Sequence, residues 1–388
     1  MQKSNCIWID NGMCVSAFGK AVFCCMIHDQ GMSVADDLST YNERMKSERS
    51  KPKTDGWLDV CGACKRKELA GSTSRRQRYI KKVDRWGHAR IKEGKIQFLD
   101  ISFGNTCNQM CAMCSSAFSS KWFKRDKKMA ETGFTFRDNT KSQHGSQHVP
   151  ASWHLSQEKL DEILSMVDED TIQCDIKGGE PLYDKMFEYF CKGLIERSPK
   201  IRISVSTNLT KLSDERIEFI KTMPEAQFGL SIDGIGKTYE FVRGWHDWNI
   251  IDRNTRRLAA AIDGVRQKIS INFTLMRYNM DQLPAVYDYL EDVAKESGHV
   301  GNSLHLYLGQ IATAPRAMSP AAADPKMVLV ALEGIDYIRN KNSKYVTHNL
   351  LDSLENYCYS ILDNRPEIPQ HLINNAHKIM VAERGFEL

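Results

Sequence analysis

The chain has 388 residues, 41% of them hydrophobic and 26% charged, with a formal net charge of +4. That apolar share supports a packed core over a disordered chain, and the length fits one large α/β domain with an appendage, or two domains. No apolar run approaches the ~20 residues of a bilayer span, the N-terminus lacks a signal-peptide pattern, and the charge is too mild to imply nucleic-acid binding. A soluble, cytoplasmic protein is expected, with no membrane partner and no nucleic acid.

Residues 1–73 are rich in cysteine, with Gly12 and Gly19 as turn signals. A long chain without a signal sequence is expected to sit in a reducing compartment, so its 12 cysteines are not read as disulfides. Seven are grouped at short spacing, at Cys24 and Cys25, Cys61 and Cys64, and Cys107, Cys111 and Cys114, which reads as metal ligation. Residues 74–95 carry the run from Ser74 to Lys82 with five cations, and are read as a basic, solvated linker helix.

From residue 96 the pattern alternates strand and helix. The predicted strands are Gln97–Phe103, Thr171–Lys177, Ile201–Asn208, Gln227–Asp233, Lys268–Met276 and Ser303–Gln310. Leu160, Ile163, Leu164 and Val167 follow one helix face, and Asn279 or Asp281 is placed to cap a helix carrying Leu283, Val286, Tyr287 and Leu290. Residues 119–154 read as a long polar loop, a lid or an insertion. Helices are predicted near 326–340, 348–362 and 368–384. Six strands alternating with helices make the fold class α/β, with the strand-bearing part over residues 96–310 and a helical C-terminal extension over 311–388.

One face of successive strands is polar: Asp175 and Lys177; Ser204, Ser206 and Asn208; Ser231 and Asp233; Asn272 and Thr274; His305 and Tyr307. Polar rows on five strands are costly to pack dry and suit the wall of a wet cavity. Tyr307, His305, Lys177 and Asp175 are therefore candidate proton-moving groups facing a substrate.

The first of these strands runs into Cys107-Asn108-Gln109-Met110-Cys111-Ala112-Met113-Cys114, a C-x3-C-x2-C spacing. Three thiolates on one tight loop can hold three irons of a cubane and leave the fourth open, whereas structural zinc asks for a fourth protein ligand. The second strand ends in Lys177-Gly178-Gly179-Glu180-Pro181, where glycines let a ligand approach the backbone and Glu180 offers an acceptor for an ammonium.

These features resemble the radical S-adenosylmethionine (SAM) superfamily. Its cluster motif is C-x3-C-x-Φ-C after the first barrel strand, with Met113 standing here where an aromatic residue is usual. The resemblance implies a partial (β/α)6 barrel, a 4Fe–4S cluster on Cys107, Cys111 and Cys114, and reductive cleavage of SAM to a 5′-deoxyadenosyl radical. It implies a SAM site formed by Gly178, Gly179 and Glu180 for the amino group. It also implies contacts from Ser206, Asn208 and Ser231 to the ribose and carboxylate, and from Arg243 to the carboxylate.

The N-terminal pattern of Cys6, Gly19 and Cys24, with Cys61-Gly62-Ala63-Cys64, resembles the twitch domain, a short relative of the SPASM domain. That domain binds an auxiliary iron–sulfur cluster, for which the set taken is Cys6, Cys24, Cys61 and Cys64. Cys14 and Cys25 stand as alternatives to the first two, and zinc as an alternative to iron–sulfur. The pattern departs from better-studied relatives in preceding the barrel and in lacking a proline before Trp8. Glu68, Gly71 and Ser74-Arg75-Arg76 look like the join to the barrel. The substrate expected on this resemblance is a peptide or a small polar molecule, with a one-electron reductant such as flavodoxin or ferredoxin as partner. A non-catalytic zinc or iron–sulfur scaffold, associated with RNA through residues 74–95, is the alternative.

Overall fold

The computed structural model describes residues 6–27, 38–69, 73–87, 91–134, 151–244, 246–299, 301–341 and 344–388. His88, His144, Gly71 and residues 135–150 of the predicted 119–154 loop lie outside the described residues, and a helix over Phe123–Thr132 stands where the start of that loop was expected. In chain order the elements are α1 (Ile7–Asn11), β1 (Gly12–Val15), β2 (Ala21–Val22), α2 (Tyr41–Arg49), α3 (Gly62–Leu69), α4 (Arg75–Trp86), β3 (Phe98–Phe103) and α5 (Phe123–Thr132). Then come α6 (Gln157–Ser165), β4 (Gln173–Gly178), α7 (Phe187–Arg197), β5 (Arg202–Thr207), α8 (Asp214–Thr222), β6 (Glu225–Ser231), α9 (Gly236–Arg243) and α10 (Trp248–Ala261). The chain ends with β7 (Gln267–Leu275), α11 (Leu283–Ser297), β8 (Leu304–Ile311), α12 (Pro325–Asn340), α13 (His348–Asp363) and α14 (Gln370–Arg384).

The chain forms two compact units, one of Met1–Thr106 with Pro150–Val205 and one of Cys107–Val149 with Ser206–Leu388. In the first, strands lie in the order β2-β1-β3-β4-β5, parallel except for the β1–β2 pair. Every residue of β3 is buried, as parallel strands covered on both faces require. Cys14, Asp100, Asp175 and Ser204 are register partners, so one polar row crosses four strands. α6 closes its apolar face with Leu160, Ile163 and Leu164 and is capped by Ser156.

The polar row of the first unit is not simply wet. α4 lays Arg75 against Asp100 at 3.1 Å and the Tyr79 hydroxyl against Asp175 at 3.0 Å. The Arg75 guanidinium also sits 4.3 Å over the Trp8 ring, and Tyr79 packs edge-on to Trp8 and Phe98. The basic segment is therefore anchored along one face, where a solvated helix was expected. Tyr79 and Val83, one turn apart, are apolar enough to bury, and Ser74 starts the helix with a full capping box.

In the second unit β6-β7-β8 are parallel, with α9 and α10 between the first two and α11 between the last two. Gly229, Ser270 and His305 share one row, and Ser231, Asn272 and Tyr307 the next. Met110, Trp122, Met129, Phe241, Met318 and Met380 belong to one buried cluster here. α11 buries Leu283, Val286, Tyr287 and Leu290, but no side chain caps it. Asn279 instead sits fully buried, donating to the Asp233 and Thr274 carbonyls at 2.7 and 2.9 Å and accepting from Met276 N. A buried amide with three backbone partners is worth more there than at an exposed helix end. The fold class is α/β, the six expected strands are present within a few residues of their predicted ends, and the C-terminal extension is helical.

Candidate iron–sulfur and S-adenosylmethionine site

Cys107, Cys111 and Cys114 lie on one irregular loop of the second unit, the first two buried and the third half-buried. Its backbone is held from several sides. Trp122 Nε1 donates to Cys111 O at 3.0 Å, Ala112 N to Val242 O at 2.8 Å, and the Ser119 hydroxyl to Gln109 O. Gln109 is fully buried and donates to the Tyr239 hydroxyl at 2.8 Å. Met113 packs against the buried cluster of this unit.

Two of the three sulfurs face side-chain N–H donors. Asn208 Nδ2 stands 3.8 Å from Cys107 Sγ, and Arg243 Nη1 3.7 Å from Cys111 Sγ. Burial pushes the Cys111 thiol up, and Arg243 opposes that by favouring the thiolate. Asp233, fully buried, pairs with Arg243 and accepts from Thr274 N at 2.7 Å, so the guanidinium is fixed from behind. Asn208 also donates to Asn108 Oδ1 at 3.0 Å, and His246 Nε2 lies 3.1 Å from Asn108 O. Among the described residues no three His, Cys, Asp or Glu side chains are already gathered as a metal-ligand set. The donor chemistry nonetheless fits a thiolate-bound cluster: three cysteines within eight residues, N–H donors on two sulfurs, and an apolar floor.

Arg384 is a participant that sequence reasoning missed. It comes from the last turn of α14, donates from Nε to Phe241 O at 2.7 Å and from Nη2 to Met110 O, and feels the charge of Cys111. Burial pushes its guanidinium down to about 10. Gln109 and Tyr239 were missed in the same sense, since nothing local marks a residue that meets its partner 130 positions away, while Asp233 was read only as part of a polar strand face and not as the partner of Arg243.

In the first unit, the Gly178–Gly179 turn follows β4 with Gly178 at φ 119°. A Cβ on Gly178 would stand 2.5 Å from Phe103 N, and one on Gly179 2.0 Å from Thr106 O, so neither tolerates a side chain. Gly179 N donates to Gly104 O and Glu180 N to Thr106 O, which holds the residue preceding Cys107 in the chain. Glu180 is 3% exposed and accepts from Leu182 N at 3.0 Å.

The other candidates are placed as follows. Lys177 pairs with Asp100 at 2.7 Å, and Asp175 is engaged by Tyr79 and Gln173. Burial pushes the Asp100 carboxyl up to about 6, against the pull of Lys177. Ser206 is exposed, Ser231 half-buried, and His305 and Tyr307 half-buried on neighbouring rows of β8. Burial, then Lys268, lowers the His305 imidazole.

Cys6, Cys24, Cys61 and Cys64 line one largely apolar pocket in the first unit, with Arg76 at its wall. Burial pushes Cys6 up to about 11 and Cys61 up to about 12, and each feels the charge of Cys64. Hydrogen bonding with Cys14 and Cys24 lowers the Cys25 thiol. Glu68 ties this part to α4 through Arg76 Nε at 3.0 Å and the Ser74 hydroxyl at 2.6 Å.

No curated protein matches the chain in sequence. Among solved structures, native anSMEcpe with bound AdoMet is 15% identical with a TM-score of 0.40, over 62% of this chain and 59% of that one. Streptococcus suis SuiB is 12% identical with a TM-score of 0.39, over 86% of this chain and 69% of that one. SuiB bound to precursor peptide SuiA is 12% identical with a TM-score of 0.37, over 73% of this chain and 60% of that one. This chain thus spans less than two thirds of the anSMEcpe chain. Residues 101–290, which hold the cysteine loop, the Gly-Gly-Glu turn and the Asp233–Arg243 pair, match the model of the radical SAM superfamily, and this part of the chain is a radical SAM domain.

Proposed function

We propose that this enzyme uses Cys107, Cys111 and Cys114 to hold three irons of a 4Fe–4S cluster, with the fourth iron left for SAM. When bound, the reduced cluster and SAM supply a 5′-deoxyadenosyl radical, the cofactor chemistry of the superfamily. The chain's own residues do the rest. Asn208 and Arg243 donate to the cysteine sulfurs and favour the thiolates. Gly178 and Gly179 give a ligand backbone access, and Glu180 accepts from the amino group of SAM. Ser206, Asn208 and Ser231 offer polar contacts to its ribose and carboxylate. Arg243, already committed to Asp233 and Cys111, acts on the cluster side of that contact.

The substrate we propose is a peptide or small polar molecule held against the rows of Ser231, Asn272 and Tyr307. Tyr307 and His305 are the proton-handling candidates, because Lys177 and Asp175 are engaged by Asp100 and Tyr79. Cys6, Cys24, Cys61 and Cys64 are the proposed ligands of an auxiliary iron–sulfur cluster, their shared cavity being the support for that set. A one-electron carrier such as flavodoxin or ferredoxin completes the reaction, in a reducing cytoplasm.

The observation that carries this reading is the pair of N–H donors, Asn208 and Arg243, aimed at two sulfurs of one eight-residue loop. Metal analysis of anaerobically purified protein tests it. Iron and sulfide are expected, with about four irons lost on replacing Cys107, Cys111 and Cys114 by alanine and a separate loss on replacing Cys61 and Cys64. Stoichiometric zinc without iron would overturn the proposal. Deuterium passing from a labelled substrate into 5′-deoxyadenosine would identify that substrate.

A further inference from the structure

The cysteine loop of the second unit rests on α5. Trp122, just before the helix, and Met129 within it are buried in the same cluster as Met110 and Ala112, with Met113 and Cys114 packed against it. Asp126 also faces inward and accepts from Ser116 N at 2.7 Å. Trp122 and Ser120 reach the carbonyls of Cys111 and Cys107 at 3.0 and 3.2 Å. One face of this helix is therefore the floor of the proposed cluster site.

The opposite face is basic. Lys124, Lys127 and Lys128 are exposed and lie at helical spacing on one side, with Lys121 exposed in the turn before them. Between Lys121 and Glu131 there are five cations and two carboxylates, and one of the carboxylates is the inward-facing Asp126. Arg125 pairs with Glu383, which ties the helix to α14. Phe118, 42% exposed, stands in the chain between Cys114 and these lysines. An aromatic side chain followed by a lysine row is the composition of a small transient interface, in which charge sets the approach and an aromatic group gives the contact.

We propose that α5 and the turn before it are the docking surface for a small acidic one-electron carrier protein. This rests on the reading that the Cys107–Cys114 loop holds a reducible cluster. The carrier gives up one electron, the cluster gains it, and no bond is made or broken. The lysine face meets an acidic carrier, while the other face of the same short helix touches the cysteine loop.

The test uses the full-length, cluster-loaded protein and a purified acidic flavodoxin. In one variant Lys124, Lys127 and Lys128 become Glu. In a control of equal charge change, Lys185, Lys200 and Lys295, all exposed and elsewhere, become Glu. Calorimetric affinity for oxidised flavodoxin is expected to fall about tenfold or more in the first variant at low salt, with a flatter salt dependence, and to change less than about twofold in the control. SAM cleavage driven by dithionite is expected to be equal in both variants and the parent, while flavodoxin-driven cleavage falls in the first alone. Unchanged flavodoxin affinity in the first variant, or equal loss in both, would overturn the proposal, as would loss of single-stranded RNA binding with flavodoxin affinity kept. Failure of the parent to cleave SAM with dithionite would count against the enzymatic reading instead, since flavodoxin affinity reads the surface directly.

Discussion

At the residue scale, the cysteine loop is secured by groups far apart in the chain. Arg243 and Asp233 form a buried pair, and a buried charge left alone is costly. Arg243→Met is expected to destabilise the second unit by about 3–5 kcal/mol in chemical denaturation and to lower iron retention. Arg384→Met removes two backbone contacts from Nε and Nη2 and one cation near Cys111. It is expected to cost about 1–3 kcal/mol. A redox titration followed by electron paramagnetic resonance is expected to show a more negative cluster potential, because fewer cationic donors favour the reduced state less. An unchanged potential would confine Arg384 to a structural role. Gly179→Ala places a Cβ 2.0 Å from Thr106 O and is expected to abolish SAM binding measured by equilibrium dialysis. The cysteines and glycines of this account were legible in the sequence because their spacing is local. Arg384 was not, since its contact with Met110 spans 274 positions and an arginine near a helix end looks like any other.

At the element scale, strands β3 to β8 and helices α12 to α14 were readable because each carries a clear period over six or more residues. β1 and β2 were not predicted. They have four and two residues, too few to carry a readable alternation. α4 was read as solvated because its charges dominate its composition. Its docking depends on Arg75 and Tyr79 meeting Asp100 and Asp175 on β3 and β4, a pairing the local sequence does not encode. Two expectations follow. Ser74→Ala removes both the cap of α4 and a hydrogen bond to Glu68, and is expected to cost about 1–2 kcal/mol by denaturation. Asp100 has its carboxyl raised to about 6 by burial. The stability tied to its protonated form is full below its ordinary value near 4 and lost as pH rises through about 6. Asp100→Asn is expected to flatten the unfolding midpoint between pH 4 and 6 relative to the parent, and a profile of unchanged slope would show that another group sets it.

At the scale of the whole molecule, sequence and structure agree on an α/β fold with a helical C-terminal extension, and residues 101–290 match the radical SAM superfamily. No helix among the described residues is long and apolar enough to cross a membrane. The candidate ligands divide into two sets by unit, three cysteines on the loop of one and four around the cavity of the other. Anything bound only by the folded state stabilises it. Chelating the iron of the anaerobic protein is therefore expected to lower the thermal midpoint, in two steps if each unit loses its own cluster. A midpoint insensitive to chelation would argue that metal is not part of either fold. The most direct measurement is release of 5′-deoxyadenosine from SAM by the anaerobic, dithionite-reduced protein. The account predicts release by the parent and none from a variant lacking Cys107, Cys111 and Cys114. No release from a parent shown to contain its iron, or equal release from the variant, would contradict it.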